Sequence, residues 1–103
     1  MKIALDYDDT YTKAPYAWDE FIELFDSYGH DIRIVTHRHP ELDKIGSAPC
    51  PIIYTNGVAK KFFCEFHANW TPDIWVDDRP ETILNNSTSS QEWLTEWRAT
   101  RES

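Results

Sequence analysis

The sequence predicts an α/β fold in which a short parallel sheet of about four strands carries helices on both faces. Four apolar runs, at 2–6, 31–36, 52–54 and 73–77, alternate with segments of helical periodicity. Two of these runs end in acidic residues, in the sequences LDYDDT and IWVDD. The length of 103 residues is that of one domain, so we expect residues 1–103 to form a single unit.

The first half of the chain supplies two strands and one helix. Residues 2–6 form the first strand and lead into a loop at 7–14. Pro15 suits the first turn of a helix, and Gly29 suits its C-terminal cap. Strand two then covers 31–36. The apolar face predicted for the helix consists of Trp18, Phe21, Ile22, Phe25 and Tyr28.

The second half begins with a loop at 37–40, and a short helix is predicted from Glu41 to Ile45. The third strand, 52–54, is closed by the turn residues Asn56-Gly57. A longer helix is predicted from Val58 to Ala68. Its inward-facing residues are predicted to include Val58, Phe62 and Phe66.

The last predicted elements are a strand at 73–77, a helical turn from Pro80 to Leu84, and a final helix. Ser89 and Glu92 have the spacing of a capping box. The apolar face of the final helix would be Trp93, Leu94 and Trp97.

Other aromatic and sulfur-containing side chains have structural interpretations. Trp70 and Trp75 are predicted to be partly exposed, which leaves an association between copies of the chain open. Cys64 is predicted to be buried in its helix. Cys50 and Cys64 lack metal-binding spacing and are expected to be reduced.

The composition limits the partners of the chain. Its formal net charge of -8 opposes binding to bare nucleic acid, so we expect a nucleic acid to enter only as a phosphate end. The sequence contains no apolar run of membrane-spanning length, and we expect no membrane partner. The N-terminus has no signal-peptide pattern, and the expected location is the cytoplasm.

Polar residues follow three predicted strands at the point where each strand ends. Because parallel strands bind ligands beyond their carboxyl ends, Asp6, Thr36 and Asp77 are expected to meet at one edge. Two carboxylates 4–5 Å apart repel by about 3–4 kcal/mol at an effective dielectric near 20. A divalent cation between them would remove this repulsion, and oxygen-only ligands favour Mg²⁺.

Further side chains at this edge point to phosphoryl transfer. A lysine from Lys60-Lys61 and the Thr36 hydroxyl would provide an anion site beside the metal. A metal, anion donors and a nucleophilic carboxylate are what phosphoryl transfer requires. Asp8 could serve as proton donor and acceptor. We favour Lys60 over Lys61, because Lys61 lies nearer the aromatic run.

At this point the residues resemble a known family. The order Asp-x-Asp-x-Thr, strand-Thr, Lys and strand-Asp-Asp is similar to the four motifs of the haloacid dehalogenase superfamily. The likeness runs from Ile3 to about Ile83 and is greatest to the small capless phosphohydrolases of phages and bacteria. It implies a minimal Rossmannoid three-layer fold with strand order 4-1-2-3 and no cap domain. The family's usual fifth strand has no counterpart in this sequence.

The resemblance implies catalytic roles for four residues. Asp6 resembles the nucleophile that forms an aspartyl-phosphate and also ligates the metal. Asp8 resembles the general acid and base, with its backbone carbonyl on Mg²⁺. Thr36 resembles the phosphate-binding hydroxyl, and Lys60 the lysine that steadies the nucleophile and the phosphate.

The resemblance also implies binding roles. Asp77 and Asp78 resemble the acids that hold Mg²⁺ directly or through water, and which of them touches the metal stays open. Thr10 resembles the threonine that braces the first loop beside the phosphate. For Arg38, contact with substrate phosphate and pairing with an acid are both open.

The expected function is therefore a Mg²⁺-dependent phosphatase with an open site. Its substrate would be a nucleotide, a nucleic-acid end or another phosphorylated molecule. The alternative is a non-catalytic protein of the same fold that binds metal and phosphate. His37 and His39 could ligate a transition metal, although solvated loop residues are the simpler interpretation.

Overall fold

The computed structural model describes residues 1–86. The final helix predicted from the sequence, with Trp93, Leu94 and Trp97, lies outside the described residues, as does the capping box of Ser89 and Glu92. No helix within residues 1–86 has both the length and the apolar character needed to cross a lipid bilayer.

Four parallel strands form one sheet, which confirms the α/β class. They are β1 (Lys2–Leu5), β2 (Asp31–Thr36), β3 (Ile52–Tyr54) and β4 (Ile74–Val76). The strand order is β3-β2-β1-β4, which becomes 4-1-2-3 when it is counted from the opposite edge. In the register of the sheet, Ile3 of β1 lies opposite Ile32 and Ile74. The strand that ends at Asp6 is thus an interior strand of the sheet.

Residues 1–86 also form three α-helices and one short 3-10 helix. The 3-10 helix covers Tyr11–Lys13, and the α-helices are α1 (Pro15–Ser27), α2 (Lys60–Phe66) and α3 (Glu81–Leu84). Pro15 begins α1, as predicted, since it needs no amide hydrogen bond there. Gly29 follows α1 with a φ of 84°, a conformation that glycine adopts without strain.

The core has two parts because side chains alternate between the two faces of each strand. Ile3 and Leu5 of β1 belong to one cluster, where Ile22 of α1 packs. Ala4 belongs to the other cluster, where Cys64 of α2 packs. Helices therefore cover both faces of the sheet, as predicted.

Two helix predictions need correction. The segment from Glu41 to Ile45 is not helical; residues 40–43 form a turn. The side chain of His39 accepts hydrogen bonds from the amides of Glu41 and Leu42, which closes this turn at its start. The helix predicted at 58–68 is only Lys60–Phe66, because Ala59 has the non-helical angles φ -47° and ψ 125°.

Burial of several aromatic residues also differs from expectation. Phe62 and Phe66, predicted to face inward, are 50% and 71% exposed. Tyr28 follows the end of α1 and is exposed rather than packed. Trp70, predicted to be partly exposed, is buried, and its indole donates a hydrogen bond to Asp31. Cys64 is buried, as predicted, and Cys50 is partly buried; both are free thiols.

Candidate functional site

The carboxyl ends of β1, β2 and β4 open into a cavity of about 330 Å³. The amide of Asp6 donates to the carbonyl of Val76, which ties the end of β1 to the end of β4. The cavity sits at the sheet edge where ligands bind in open parallel sheets. The predicted site residues that line it are Asp6, Asp8, Thr36, Lys60, Asp77 and Asp78.

A buried lysine joins two of the acids. Lys60 is the first residue of α2, and only 2% of its side chain is exposed. Its Nζ lies 2.8 Å from Oδ1 of Asp6 and 2.5 Å from Oδ2 of Asp77. Because a buried ammonium needs compensating charge, these carboxylates are what keeps Lys60 in the interior.

The neighbouring lysine lies elsewhere. The side chain of Lys61 is 51% exposed and lies 3.7 Å from Glu65 on the outer face of α2. The structure therefore brings Lys60, and not Lys61, to the acids.

Thr10 connects the loop after β1 to the loop after β4. Its hydroxyl oxygen lies 3.2 Å from Oδ2 of Asp6 and 3.1 Å from Oδ1 of Asp78. The backbone amide of Asp78 donates to the same oxygen. Thr10 thus braces two of the acids and does not itself line the cavity.

The three acids carry more charge than Lys60 compensates. Burial, followed by the hydrogen bond with Asp78, raises the pKa of Asp6 to about 7, against the opposing effect of Lys60. The same hydrogen bond, with that from Thr10, lowers the pKa of Asp78. Without a cation, this arrangement favours the protonated form of Asp6 and the ionised form of Asp78.

This arrangement fits a hard divalent cation. One carboxylate oxygen from each of Asp6, Asp77 and Asp78 lies within 4.8 Å of the others, and within residues 1–86 no other three acidic, histidine or cysteine side chains meet in this way. All three donors are oxygens, the ligands that Mg²⁺ and Ca²⁺ prefer. A cation there would supply the missing positive charge and favour the ionised form of Asp6.

Asp8 stands apart from the three-acid cluster. Both of its carboxylate oxygens accept from Arg38, at 2.9 and 2.7 Å. Arg38 also lies 3.3 Å from Asp43 and stacks over the ring of Tyr7. The pairing with Asp8 raises the pKa of Arg38 further above its usual range. Of the two interpretations of Arg38, the structure thus shows pairing with acids.

Thr36 ends β2 and is buried at the wall of the cavity. Its hydroxyl oxygen accepts a hydrogen bond from the amide of Arg38, 3.3 Å away. The Thr36 hydroxyl does not donate a hydrogen bond to the carboxylate of Asp6, which accepts from Thr10 and Lys60. Thr36 therefore keeps a donor that a ligand in the cavity could use.

Sequence reasoning missed the contribution of α3. The hydroxyl of Thr82 lies 3.3 Å from Oδ2 of Asp77, and its carbonyl lies 3.1 Å from Nε2 of His37. Burial lowers the pKa of His37, followed by the effect of nearby Lys60. His37 is thus a wall residue tied to α3, while His39 closes the turn at 40–43. The short Pro80–Leu84 segment carried no sequence signal for this role.

A larger cavity, of about 570 Å³, lies at the opposite end of the sheet. It is lined by the starts of β2 and β3 and by acids of α1. Asp19 there accepts from Tyr11, and Asp31 pairs with Arg33. Within residues 1–86, the acids that line this cavity do not form a cluster like that of Asp6, Asp77 and Asp78.

Comparisons with protein-family models, curated proteins and solved structures find no match to this chain.

Proposed function

We propose that this chain is a Mg²⁺-dependent phosphohydrolase that works through an aspartyl-phosphate, in the manner of the haloacid dehalogenase superfamily it resembles. The observation that carries the proposal is Lys60, almost wholly buried between Asp6 and Asp77 at the ends of two parallel strands. The desolvation free energy of three buried charged side chains often exceeds what their ion pairing returns, so burial of this kind seldom serves stability alone. Charge held at a ligand-binding edge is instead typical of a catalytic site.

The residues fit the charge pattern of a phosphate ester. Asp6, Asp77 and Asp78 would hold Mg²⁺, which when bound would neutralise phosphate charge and allow a carboxylate to approach phosphorus. Lys60 adds a second positive charge at Asp6. Thr36 has a hydroxyl proton to donate to a phosphate oxygen.

The proposed reaction has two steps. A carboxylate oxygen of Asp6 attacks phosphorus, the bond from phosphorus to the ester oxygen breaks, and Asp8 gives its proton to the leaving oxygen. Water then attacks the phosphorus of the aspartyl-phosphate and gives a proton to Asp8. The bond between phosphorus and Asp6 breaks, and inorganic phosphate leaves with the carboxylate restored.

Arg38 must release Asp8 before Asp8 can transfer a proton. The bidentate pair occupies both oxygens of Asp8. The side chain of Asp8 is 53% exposed, so the pair is a surface interaction of about 0–1 kcal/mol. A bound phosphate can therefore attract Arg38 away from Asp8 at a small cost in free energy. Arg38 would then pair with the phosphate of the substrate.

The cavity admits large substrates. Residues 1–86 contain no inserted domain over the strand ends. A nucleotide, a nucleic-acid end or another phosphorylated molecule can reach such an edge. The net charge of -8 disfavours long nucleic acids, so small phosphorylated compounds are the first to test.

Phosphate release tests the proposal. The purified protein is incubated with an aryl phosphate and with panels of nucleotides and sugar phosphates, with Mg²⁺ or with a chelator. We expect Mg²⁺-dependent release of inorganic phosphate that Asp6→Asn abolishes and Lys61→Met leaves unchanged. Release that survives Asp6→Asn would overturn the proposed mechanism.

One observation favours a second candidate, a non-catalytic protein that binds metal and phosphate. Asp8, the proposed acid and base, is paired with Arg38 and lies outside the three-acid cluster. A protein that only binds metal and phosphate needs the three-acid cluster but does not need an Asp8 that is free to transfer a proton. No release from any compound, together with a Tm that Mg²⁺ still raises, would favour this candidate.

A further inference from the structure

A groove with mainly apolar walls lies between α2 and α3, and the Lys61–Glu65 ion pair lies at its side. Phe62 and Phe66 of α2 stack with ring centroids 4.8 Å apart, and Ile83 and Leu84 of α3 form the facing wall. The exposed fractions of Phe66 and Leu84 are both 71%. The groove encloses about 190 Å³. Adjacent exposed apolar side chains of this size are typical of an interaction surface.

The orientation of α2 makes this exposure unavoidable. Lys60 must point toward Asp6 and Asp77, and one turn later Phe63 and Cys64 share its face and pack against the sheet. Phe62 and Phe66 are therefore on the outer face. A helix that needed only to cover the sheet would have little use for two phenylalanines there.

The described part of the chain ends at this groove. Asn86 accepts a hydrogen bond through Oδ1 from the amide of Ala59, 2.9 Å away, and Ala59 itself lines the groove. Asn86, the last described residue, therefore lies beside the groove, and residues 87–103 follow it in the sequence. A tethered segment has an effective concentration at such a surface that a separate molecule seldom reaches.

The composition of residues 87–103 matches an apolar groove. The segment starts with small polar residues and then places Trp93, Leu94 and Trp97 at helical spacing, with polar residues between them. From 87 to 93 the chain can span about 20 Å, whereas the length of α2 is about 10 Å. The three side chains can thus reach any part of the groove.

We propose that the segment 87–103 docks on the groove of its own chain, with Trp93, Leu94 and Trp97 packed against Phe62, Phe66 and Leu84. This interaction is independent of the proposed phosphatase activity. It would clamp α2 to α3 and so brace the helices that carry Lys60 and Thr82. It would also bury Phe62, Phe66 and Leu84, which are exposed and do not belong to the candidate site.

Amide hydrogen exchange of the full-length protein tests this docking. We expect amides at 93–97 to exchange about tenfold or more slowly than in an unstructured peptide. Phe66→Glu and Leu84→Glu should each remove this protection, because each places a carboxylate in the groove. Leu42→Glu is the matched control, since Leu42 is 81% exposed on the turn at 40–43, does not line the groove and should leave the protection unchanged.

Two further measurements keep the test decisive. Slow exchange in β1 and β2 must persist in every variant, which shows that the sheet is still folded. Sedimentation at two concentrations must show a monomer with the same protection at both. Fast exchange at 93–97 in the unmodified protein, or protection that survives both groove variants, would overturn the proposal. Protection that appears only with a dimer would also overturn it and would assign the groove to a second copy.

Discussion

Replacing Asp6 by asparagine should stabilise the protein in the absence of metal, although Asp6 is the proposed nucleophile. The carboxyl of Asp6 has a pKa of about 7 in place of 3.8, chiefly because it is buried. A group whose folded pKa is raised in this way costs stability once the pH exceeds the unfolded pKa. At 1.36 kcal/mol per pKa unit, ionising Asp6 in the folded state costs about 4 kcal/mol.

Asparagine has the shape of the protonated carboxyl and carries no charge. Its Oδ1 can still accept from Lys60, and its amide can still donate toward Asp78. For a domain of this size, 1 kcal/mol corresponds to about 4 °C in Tm. We therefore expect Asp6→Asn to raise Tm by about 16 °C at about pH 8 with a chelator present.

The pH dependence of this difference identifies its cause. At about pH 5, Asp6 is already protonated in the folded protein, so the stability gap should shrink to less than half. Thermal unfolding followed by circular dichroism at both pH values measures the gap. Mg²⁺ at about pH 8 should stabilise the unmodified protein and leave Asp6→Asn nearly unaffected. A gap that is absent at pH 8, or equal at both pH values, would refute this reasoning.

Three further changes have expected outcomes that thermal unfolding can check. Lys60→Met leaves buried carboxylates unpaired and should cost about 3–5 kcal/mol, while Lys61→Met should stay within about 0.5 kcal/mol; equal effects would contradict the burial of Lys60. His37, whose folded pKa is lowered, should make stability fall as pH drops below about 6.5, and His37→Gln should remove that part of the slope. Ile34→Ala should cost about 2–5 kcal/mol because Ile34 is wholly buried, whereas a comparable loss in Leu42→Ala would argue against this core.

The sheet was predictable because its strands are short apolar runs with clear boundaries. The positions of Asp6, Thr36 and Asp77 at one edge follow from parallel strands and required no further information. The preference for Lys60 over Lys61 also agrees with the structure, since a single helix position separates the buried face from the solvent.

The orientation of α2 was not predictable from hydrophobicity. A periodicity argument places phenylalanine inside and lysine outside, whereas here Lys60 is buried and Phe62 and Phe66 are exposed. The electrostatic demand of Asp6 and Asp77 outweighs the apolar preference of the helix. The same periodicity argument assigned Phe62 and Phe66 to the core, so it did not predict the groove between α2 and α3.

The contacts between loops could not be predicted from the sequence either. The hydrogen bond between His37 and the carbonyl of Thr82 and the pairing of Arg38 with Asp8 join residues that are far apart in the chain. Trp70 can be buried because its indole N–H donates a hydrogen bond to Asp31 at the start of β2. Such partners depend on three-dimensional proximity, which no spacing in the chain encodes.

Trapping the covalent intermediate tests the central claim most directly. Asp8→Asn removes the acid of the first step and the base of the second. Because the weakly basic oxygen of an aryl phosphate can leave without that acid, phosphate should still accumulate on Asp6 when this variant is mixed with an aryl phosphate and Mg²⁺ and then quenched in acid. Mass spectrometry should find one added phosphoryl group on the peptide that contains Asp6, and none with a chelator or when Asp6→Asn is also present. A phosphoryl group on another residue, or phosphate release by the unmodified protein with no phosphorylated peptide at any time after mixing, would contradict the account.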